Sequence, residues 1–292
     1  MKISQNWTDY SIIATGDGYK LERWKDVYLL RPDPQVIWAP SIDLFSYPKL
    51  NAYYKRSEKG GGAWKVLKPI PAEWNISYET LDLNFKIKPM GFKHTGLFPE
   101  QAVNWKLLRD TIKNAGRPVK ALNLFAYTGG ATLACLEAGA SVTHVDASKG
   151  MVQWAKENAN ASGIADRPVR WLVDDCLKFV KREIRRGNKY DIIIMDPPSY
   201  GRGPDGEIWK FENQLAELLT LTEQIFSEDA LLLLINSYTT GMSPTIMNYM
   251  TDIVFNRTRK GSVETDEIGL KVTNKDIVLP CGCTTIWKSR EI

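Results

Sequence analysis

The chain has 292 residues with 43% hydrophobic and 25% charged side chains, which argues against a disordered or low-complexity protein and allows two packed domains. A net charge of +4 tolerates a polyanionic partner without demanding one. Four cysteines, at 135, 176, 281 and 283, are too few for a disulfide framework at this length, and Cys281-Gly282-Cys283 lacks a second ligand pair for a metal, so none is expected. The first residues, MKISQNWTDYSII, hold no apolar run after the lysine, and no stretch of about 18 apolar residues occurs. A cytoplasmic protein is therefore expected.

Residues 1–90 are rich in Trp, Tyr, Pro and Gly. Asp26–Leu30 and Gln35–Trp38 read as short extended runs, and Leu81–Ile87 alternates apolar and polar residues as a half-buried strand does. Gly60-Gly61-Gly62 reads as a hairpin tip. The segment is expected to be a small β-rich domain, with a role in substrate recognition.

From about residue 100 strands alternate with helices: helix 101–115, strand 119–126, helix 131–138, strand 141–146, helix 149–160, strand 169–173, helix 177–186, strand 190–195, helix 207–226 and strand 230–235. Ile192–Met195 and Leu231–Ile235 are continuously apolar, as strands buried on both faces are. This pattern predicts α/β architecture: a Rossmann-like, doubly wound, mostly parallel sheet over residues 91–292, with the small N-terminal β-rich domain before it. The basic runs Lys178–Lys189 and Arg257–Lys260 read as solvated surface.

In such a sheet ligands bind beyond the carboxyl ends of the strands. Four strand ends here carry chemistry. Asn123-Leu-Phe-Ala-Tyr-Thr-Gly-Gly130 lets the backbone turn tightly and approach a ligand, without the third glycine of a dinucleotide fingerprint. Asp146 can accept both hydroxyl protons of a ribose; helix capping is its alternative, with Ser148 competing for that task. Asp174-Asp175-Cys176 offers a carboxylate to an exocyclic adenine amine, with capping again the alternative. Asp196-Pro-Pro-Ser-Tyr200 presents an acid on a backbone stripped of two N–H donors.

With Gly91-Phe-Lys-His-Thr-Gly-Leu-Phe98 added, these motifs resemble bacterial S-adenosylmethionine-dependent methyltransferases related to the 23S ribosomal RNA enzymes that make 5-methylcytosine or 7-methylguanine. The resemblance covers residues 90–240, without a recognisable PUA module. It implies S-adenosylmethionine as cofactor, with Phe125, Ala126, Tyr127, Thr128 and Gly129 along its methionine part. It places Asp146 and Ala147 at the ribose, and Asp175 and Cys176 at the adenine. Lys93 and Thr95 would close one side of the site. Asp196, Pro197, Pro198 and Tyr200 would form the catalytic loop beside the methyl and the acceptor, and RNA, ribosomal RNA above all, would be the partner. The 5-methylcytosine enzymes carry a cysteine nucleophile after the fifth strand, where this chain reads Ile235-Asn-Ser-Tyr-Thr239, so a base nitrogen is the expected acceptor rather than carbon. Trp209 or Phe211 is expected to help Tyr200 grip a flat substrate, and Gly201–Gly206 to form a lid with Arg202 on a phosphate. Three other readings stay open: a protein or small-molecule methyltransferase, a nicotinamide-dependent oxidoreductase, and a binding module without turnover.

Overall fold

A computed structural model describes residues 1–57, 61–239 and 241–289. The chain folds into two compact units. One holds Ile3–Ala102 and Gly269–Pro280; the other holds Met1–Lys2, Val103–Ile268 and the chain from Cys281 on. These bounds differ from a division at residue 90, because residues 91–102 and the tip of a C-terminal hairpin pack with the N-terminal strands.

The N-terminal strands are β1 (Lys2–Ser4), β2 (Tyr10–Gly16), β3 (Tyr19–Trp24), β4 (Val27–Pro32), β5 (Ala52–Arg56) and β6 (Gly62–Val66). β2 through β6 lie in chain order in one sheet, and β7 (Trp74–Tyr78) pairs with β8 (Leu83–Ile87) as a separate hairpin. Asp17 and Gly18, both at positive φ (48° and 78°), make the two-residue turn between β2 and β3. Gln35–Trp38 is not a strand. Its carbonyls at Val36 and Trp38 accept from Gly18 and Asp17, so the segment folds back onto that turn. β5 and β6 pair antiparallel as the glycine run implies; Gly60 itself lies outside the described residues.

The second unit runs α1 (Ala102–Asn114), β9 (Lys120–Leu124), α2 (Gly130–Glu137), β10 (Ser141–Asp146), α3 (Lys149–Ala161), β11 (Val169–Val173), α4 (Cys176–Arg186) and β12 (Ile192–Met195). It continues with β13 (Tyr200–Arg202), β14 (Ile208–Lys210), α5 (Phe211–Glu223), β15 (Leu232–Ser237), α6 (Pro244–Thr258), β16 (Gly261–Val272) and β17 (Ile277–Ser289). Strand order is β11-β10-β9-β12-β15-β17-β16. The first five are parallel and β17 runs antiparallel to β15. This is the mostly parallel doubly wound sheet expected, with β12 and β15 buried along their whole length.

The helix expected over 207–226 is shorter. It begins at Phe211, because Trp209 pairs back with Gly201 in the β13–β14 hairpin. The basic run on α4 is mostly neutralised on its own surface, Lys178 by Glu207, Lys181 by Glu217 and Arg182 by Asp174. Among the described residues, no helix is long and apolar enough to cross a membrane and no cluster of three metal-ligating side chains occurs.

Candidate cofactor and methyl-transfer site

Register sets the site. Leu124 at the end of β9 pairs with Val145 on one side and Met195 on the other, Met195 pairs with Ile235, and Asp146 pairs with Val173. The loops that follow Leu124, Asp146, Val173, Met195 and Ser237 therefore leave the sheet at one edge. Chain order reverses between β9 and β12, which puts the topological switch point, where α/β sheets bind ligands, between Phe125 and Asp196.

The first loop is strained and held. Phe125 and Tyr127 adopt φ of 53° and 49°, a conformation costing about 1–3 kcal/mol in a non-glycine residue. Their surroundings over-determine it. Phe125 N donates to Cys176 Sγ at 3.2 Å, Ala126 N to the Val145 carbonyl at 3.1 Å, and Tyr127 N to Asp146 Oδ2 at 2.8 Å. The buried Asn158 amide donates to the Thr128 carbonyl at 2.8 Å. Gly129 has φ 87°, and a Cβ on Gly130 would lie 2.6 Å from Trp105 Cζ2, so the loop needs its glycines where the helix packs.

Asp146 is half-buried and accepts from Tyr127 N and Ser148 N, both at 2.8 Å. Burial pushes its carboxyl above the usual range, and the two N–H bonds pull it part of the way back. The cap of α3 is Ser148, whose Oγ accepts from Met151 N, so Asp146 is not spent on capping. Ala147 is half-buried beside it. The two aspartates after β11 divide their work: Asp174 pairs with Arg182, while Asp175 caps α4, its Oδ1 accepting from Lys178 N at 2.8 Å. Asp175 Oδ2 makes no hydrogen bond among the described residues and stays open to a donor. Burial pushes the Cys176 thiol up, which keeps it a neutral packing group.

The loop after β12 is braced from below. The indole N–H of Trp209 donates to the Pro198 carbonyl at 2.6 Å, Phe211 N donates to the Ser199 carbonyl at 3.1 Å, and the Ser199 and Thr239 hydroxyls lie 2.9 Å apart. The Trp209 ring packs 4.9 Å from Phe125, tying the first and fourth loops together. Asp196 is half-buried, Pro197 buried, and Tyr200 53% exposed. Trp209 and Phe211 are 5% and 0% exposed, which corrects the expectation that they grip substrate; they hold the loop from inside the core. Gly201–Gly206 is the arm and tip of a hairpin rather than a free lid, with Gly203 N bonded to the Glu207 carbonyl. These braces were invisible in the sequence because they join residues whose proximity only the hairpin creates.

Lys93 and Thr95 belong to the N-terminal unit. Lys93 Nζ donates to the Pro32 carbonyl at 3.3 Å, and burial with Lys20 nearby lowers its pKa to about 8. Thr95 is fully buried, and among the described residues its Oγ1 has no hydrogen-bond partner.

Among the described residues, the end of the fifth parallel strand holds no reactive thiol. Asn236 sits in a buried network with Asn104 and Thr284 (2.8–3.0 Å). Cys283 pairs in register with Ser237 but is 5% exposed, and burial, then the charge of Glu267, pushes its pKa to about 11.

Residues 36–249 match the model of a family described as S-adenosylmethionine-dependent methyltransferases. The chain belongs to that family. The chain is similar to a crystal structure of an S-adenosylmethionine-dependent methyltransferase from Agrobacterium tumefaciens, with TM-score 0.93 and 35% identity over 99% of this chain and 93% of that one. A Streptococcus mutans chain shares the fold at TM-score 0.75 and 18% identity, covering 97% of this chain and 76% of its own. Among curated proteins it is 32% identical, over 72% of its length, to ribosomal RNA large subunit methyltransferase K/L of Shewanella frigidimarina (strain NCIMB 400). The match spans 28% of that relative. The donor set fits the cofactor the family name specifies: a half-buried carboxylate with lone pairs to spare, an open carboxylate oxygen, and a backbone bend that tolerates no extra Cβ.

Proposed function

We propose that this methyltransferase methylates a nitrogen of an RNA base, with ribosomal RNA as substrate, in the cytoplasm. The observation that carries the reading is the Asp196-Pro-Pro-Ser-Tyr200 loop, braced at the switch point beside Phe125 while the fifth strand offers no ionisable thiol to activate a base carbon.

When bound, S-adenosylmethionine supplies an electrophilic methyl on a sulfonium. Asp146 accepts the ribose hydroxyls, Asp175 Oδ2 accepts the adenine amine beside Cys176, and the bent backbone of Phe125–Gly129 flanks the methionine end. Asp196 accepts a hydrogen bond from the acceptor amine and aims its lone pair, while Pro197 and Pro198 offer no N–H to compete for that carboxylate. Tyr200, half of it open to solvent, stacks on the target base. Little acid–base work is required of the chain. Its task is to fix geometry and exclude water, so rigidity of the loop matters more than any shifted pKa. The N-terminal segment, residues 1–90, serves substrate recognition. The name of the Shewanella relative supports ribosomal RNA as the substrate class.

The test is nucleoside mass spectrometry of ribosomal RNA from cells with and without the gene. Loss of one N-methylated nucleoside on deletion, restored by the intact gene and not by Asp196→Ala, is the expected result. An unchanged nucleoside profile overturns the RNA reading and moves the search to protein or small-molecule acceptors.

A further inference from the structure

The segment 47–68 carries Lys49, Lys55, Arg56, Lys59, Lys65 and Lys68 against a single acid, Glu58, a net charge of +5 where the whole chain has +4. Tyrosines and a tryptophan (47, 53, 54 and 64) are interleaved with these cations. In the N-terminal unit the segment forms the β5–β6 end of the sheet, and β6 is the sheet's edge strand there.

The fold turns this composition into a surface. Lys65 stands opposite Tyr53 in the β5–β6 register, and Lys55, two residues along, shares the Tyr53 face. The Lys65 ammonium lies 5.7 Å from the Tyr53 ring centre, and the Lys49 ammonium lies 5.7 Å from that of Tyr28. Tyr53 meets Phe45 edge to face at 5.3 Å, Phe45 meets Tyr19 at 5.2 Å, and Tyr28 meets Tyr47 at 5.8 Å. Phe45 is 47% exposed, so its ring is open to a ligand. Among the described residues, none of Lys49, Lys55 or Lys65 forms an ion pair. Beside Tyr19 and Phe45 opens a cavity of about 490 Å³ walled by Gly16, Pro40 and Ile42, with Asp17 and Asp43 among its lining residues.

We propose that this face is a docking platform for single-stranded RNA. Phe45, Tyr53 and Tyr28 offer ring surface to bases, and Lys49, Lys55 and Lys65 pair with the phosphates running past them. Aromatic planes ringed by lysine are what sequence-tolerant single-strand binding needs, since every base has a π-face and every linkage a charge. The acidic lining of the cavity sets polarity: it repels phosphate and accepts the exocyclic amine of a base turned inward. A duplex hides its base faces and gains only the charge contacts. The inference rests on RNA being the substrate, and it extends recognition to a surface outside the methyl-transfer loop.

The test uses fluorescence anisotropy of the full chain with a labelled single-stranded RNA of about twelve nucleotides, a length such platforms span, across a salt series. K49A/K55A/K65A alters only exposed side chains, so the fold is kept. It should weaken binding at least tenfold and reduce the slope of log K against log salt by about 2, at roughly 0.7 per lost phosphate contact. Phe45→Ala should weaken binding with the slope unchanged. Unaltered affinity in both variants overturns the platform, as does equal affinity for the duplex form of the same RNA. Binding to anionic phosphatidylserine vesicles with no binding to RNA overturns it as well. The two readings fail separately. If deletion of the gene removes a ribosomal RNA methyl mark while the triple variant binds RNA normally, the platform falls and the substrate stands. If the variant loses RNA binding while no methyl mark depends on the gene, the substrate reading falls and the platform stands.

Discussion

The backbone N–H of Tyr127 donates to Asp146 Oδ2 at 2.8 Å, so the strained bend after β9 and the acid after β10 position each other. One contact couples the conformation of the loop to the charge of the carboxylate. Under the proposed binding mode, cofactor affinity through Asp146 reports on both.

Asp146→Asn should raise the dissociation constant for S-adenosylmethionine about 10- to 100-fold, the range for losing hydrogen bonds to a charged group worth about 1.5–3 kcal/mol. Burial holds the folded carboxyl above its unfolded value, so its charged form, which the proposed ribose contact requires, is lost on acidification at a higher pH than an ordinary aspartate would show. Wild-type affinity should therefore fall as pH drops through that raised value, and the asparagine variant should show a flatter profile. Calorimetry across a pH series checks both; an asparagine variant that binds as tightly as wild type removes Asp146 from the site.

Asp196→Ala should leave cofactor affinity within about twofold of wild type and lower the rate of methyl transfer at least about 100-fold, the scale of a misplaced acceptor. Single-turnover transfer to ribosomal RNA, measured beside calorimetric binding, separates the two effects. Transfer at the wild-type rate would remove Asp196 from the acceptor site.

Gly130→Ala places a Cβ 2.6 Å from the ring of Trp105, in a packed interior that cannot yield cheaply. Overpacking of this kind costs about 1–3 kcal/mol. Thermal melting should show a drop of several degrees, and Gly130→Ala combined with Trp105→Phe should recover part of it. An unshifted melting temperature would mean the helix backs away freely from the indole.

In the N-terminal unit Glu22, fully buried, takes a two-pronged ion pair from Arg31 (2.5 and 2.7 Å) and a hydrogen bond from the Tyr10 hydroxyl (2.8 Å). Burial alone would push its carboxyl up, but the Arg31 charge, Lys20 and these bonds together hold it below the usual value. A depressed folded pKa contributes stability that is present above the unfolded value and lost as pH falls through the folded one. Glu22→Ala should cost about 3–5 kcal/mol near neutral pH by stranding the guanidinium, with the difference narrowing in acid. Chemical denaturation at several pH values reads the effect; a pH-independent difference would assign it to packing alone.

The alternation of strands and helices from residue 120 onward was legible because burial on both faces makes a parallel strand a continuous apolar run: Ile192–Met195 is β12 over the same residues. Ser141–Asp146 and Val169–Val173 likewise match β10 and β11, bounded by abrupt polar turns. The N-terminal unit was harder, since strands such as β3 (Tyr19–Trp24) mix charged and apolar residues instead of forming a continuous apolar run. Gln35–Trp38 has strand composition yet spends its carbonyls on the Asp17-Gly18 turn, and that Asp-Gly pair was itself a hairpin signal. α6, β16 and β17 were not anticipated at all.

Local chemistry lies in the sequence by itself: which residues carry acids after strands, which turns need glycine, and which runs must be buried. Those properties depend on neighbours within a few positions, so one chain suffices to read them. Only tertiary structure decided that Ser148 and not Asp146 caps α3, that Asp175 caps α4 while Asp174 turns to Arg182, and that Trp209 braces the Asp196 loop instead of touching substrate. Each of those choices is a competition for one hydrogen-bond partner or one place in the core, and the winner is set by strand register and helix packing.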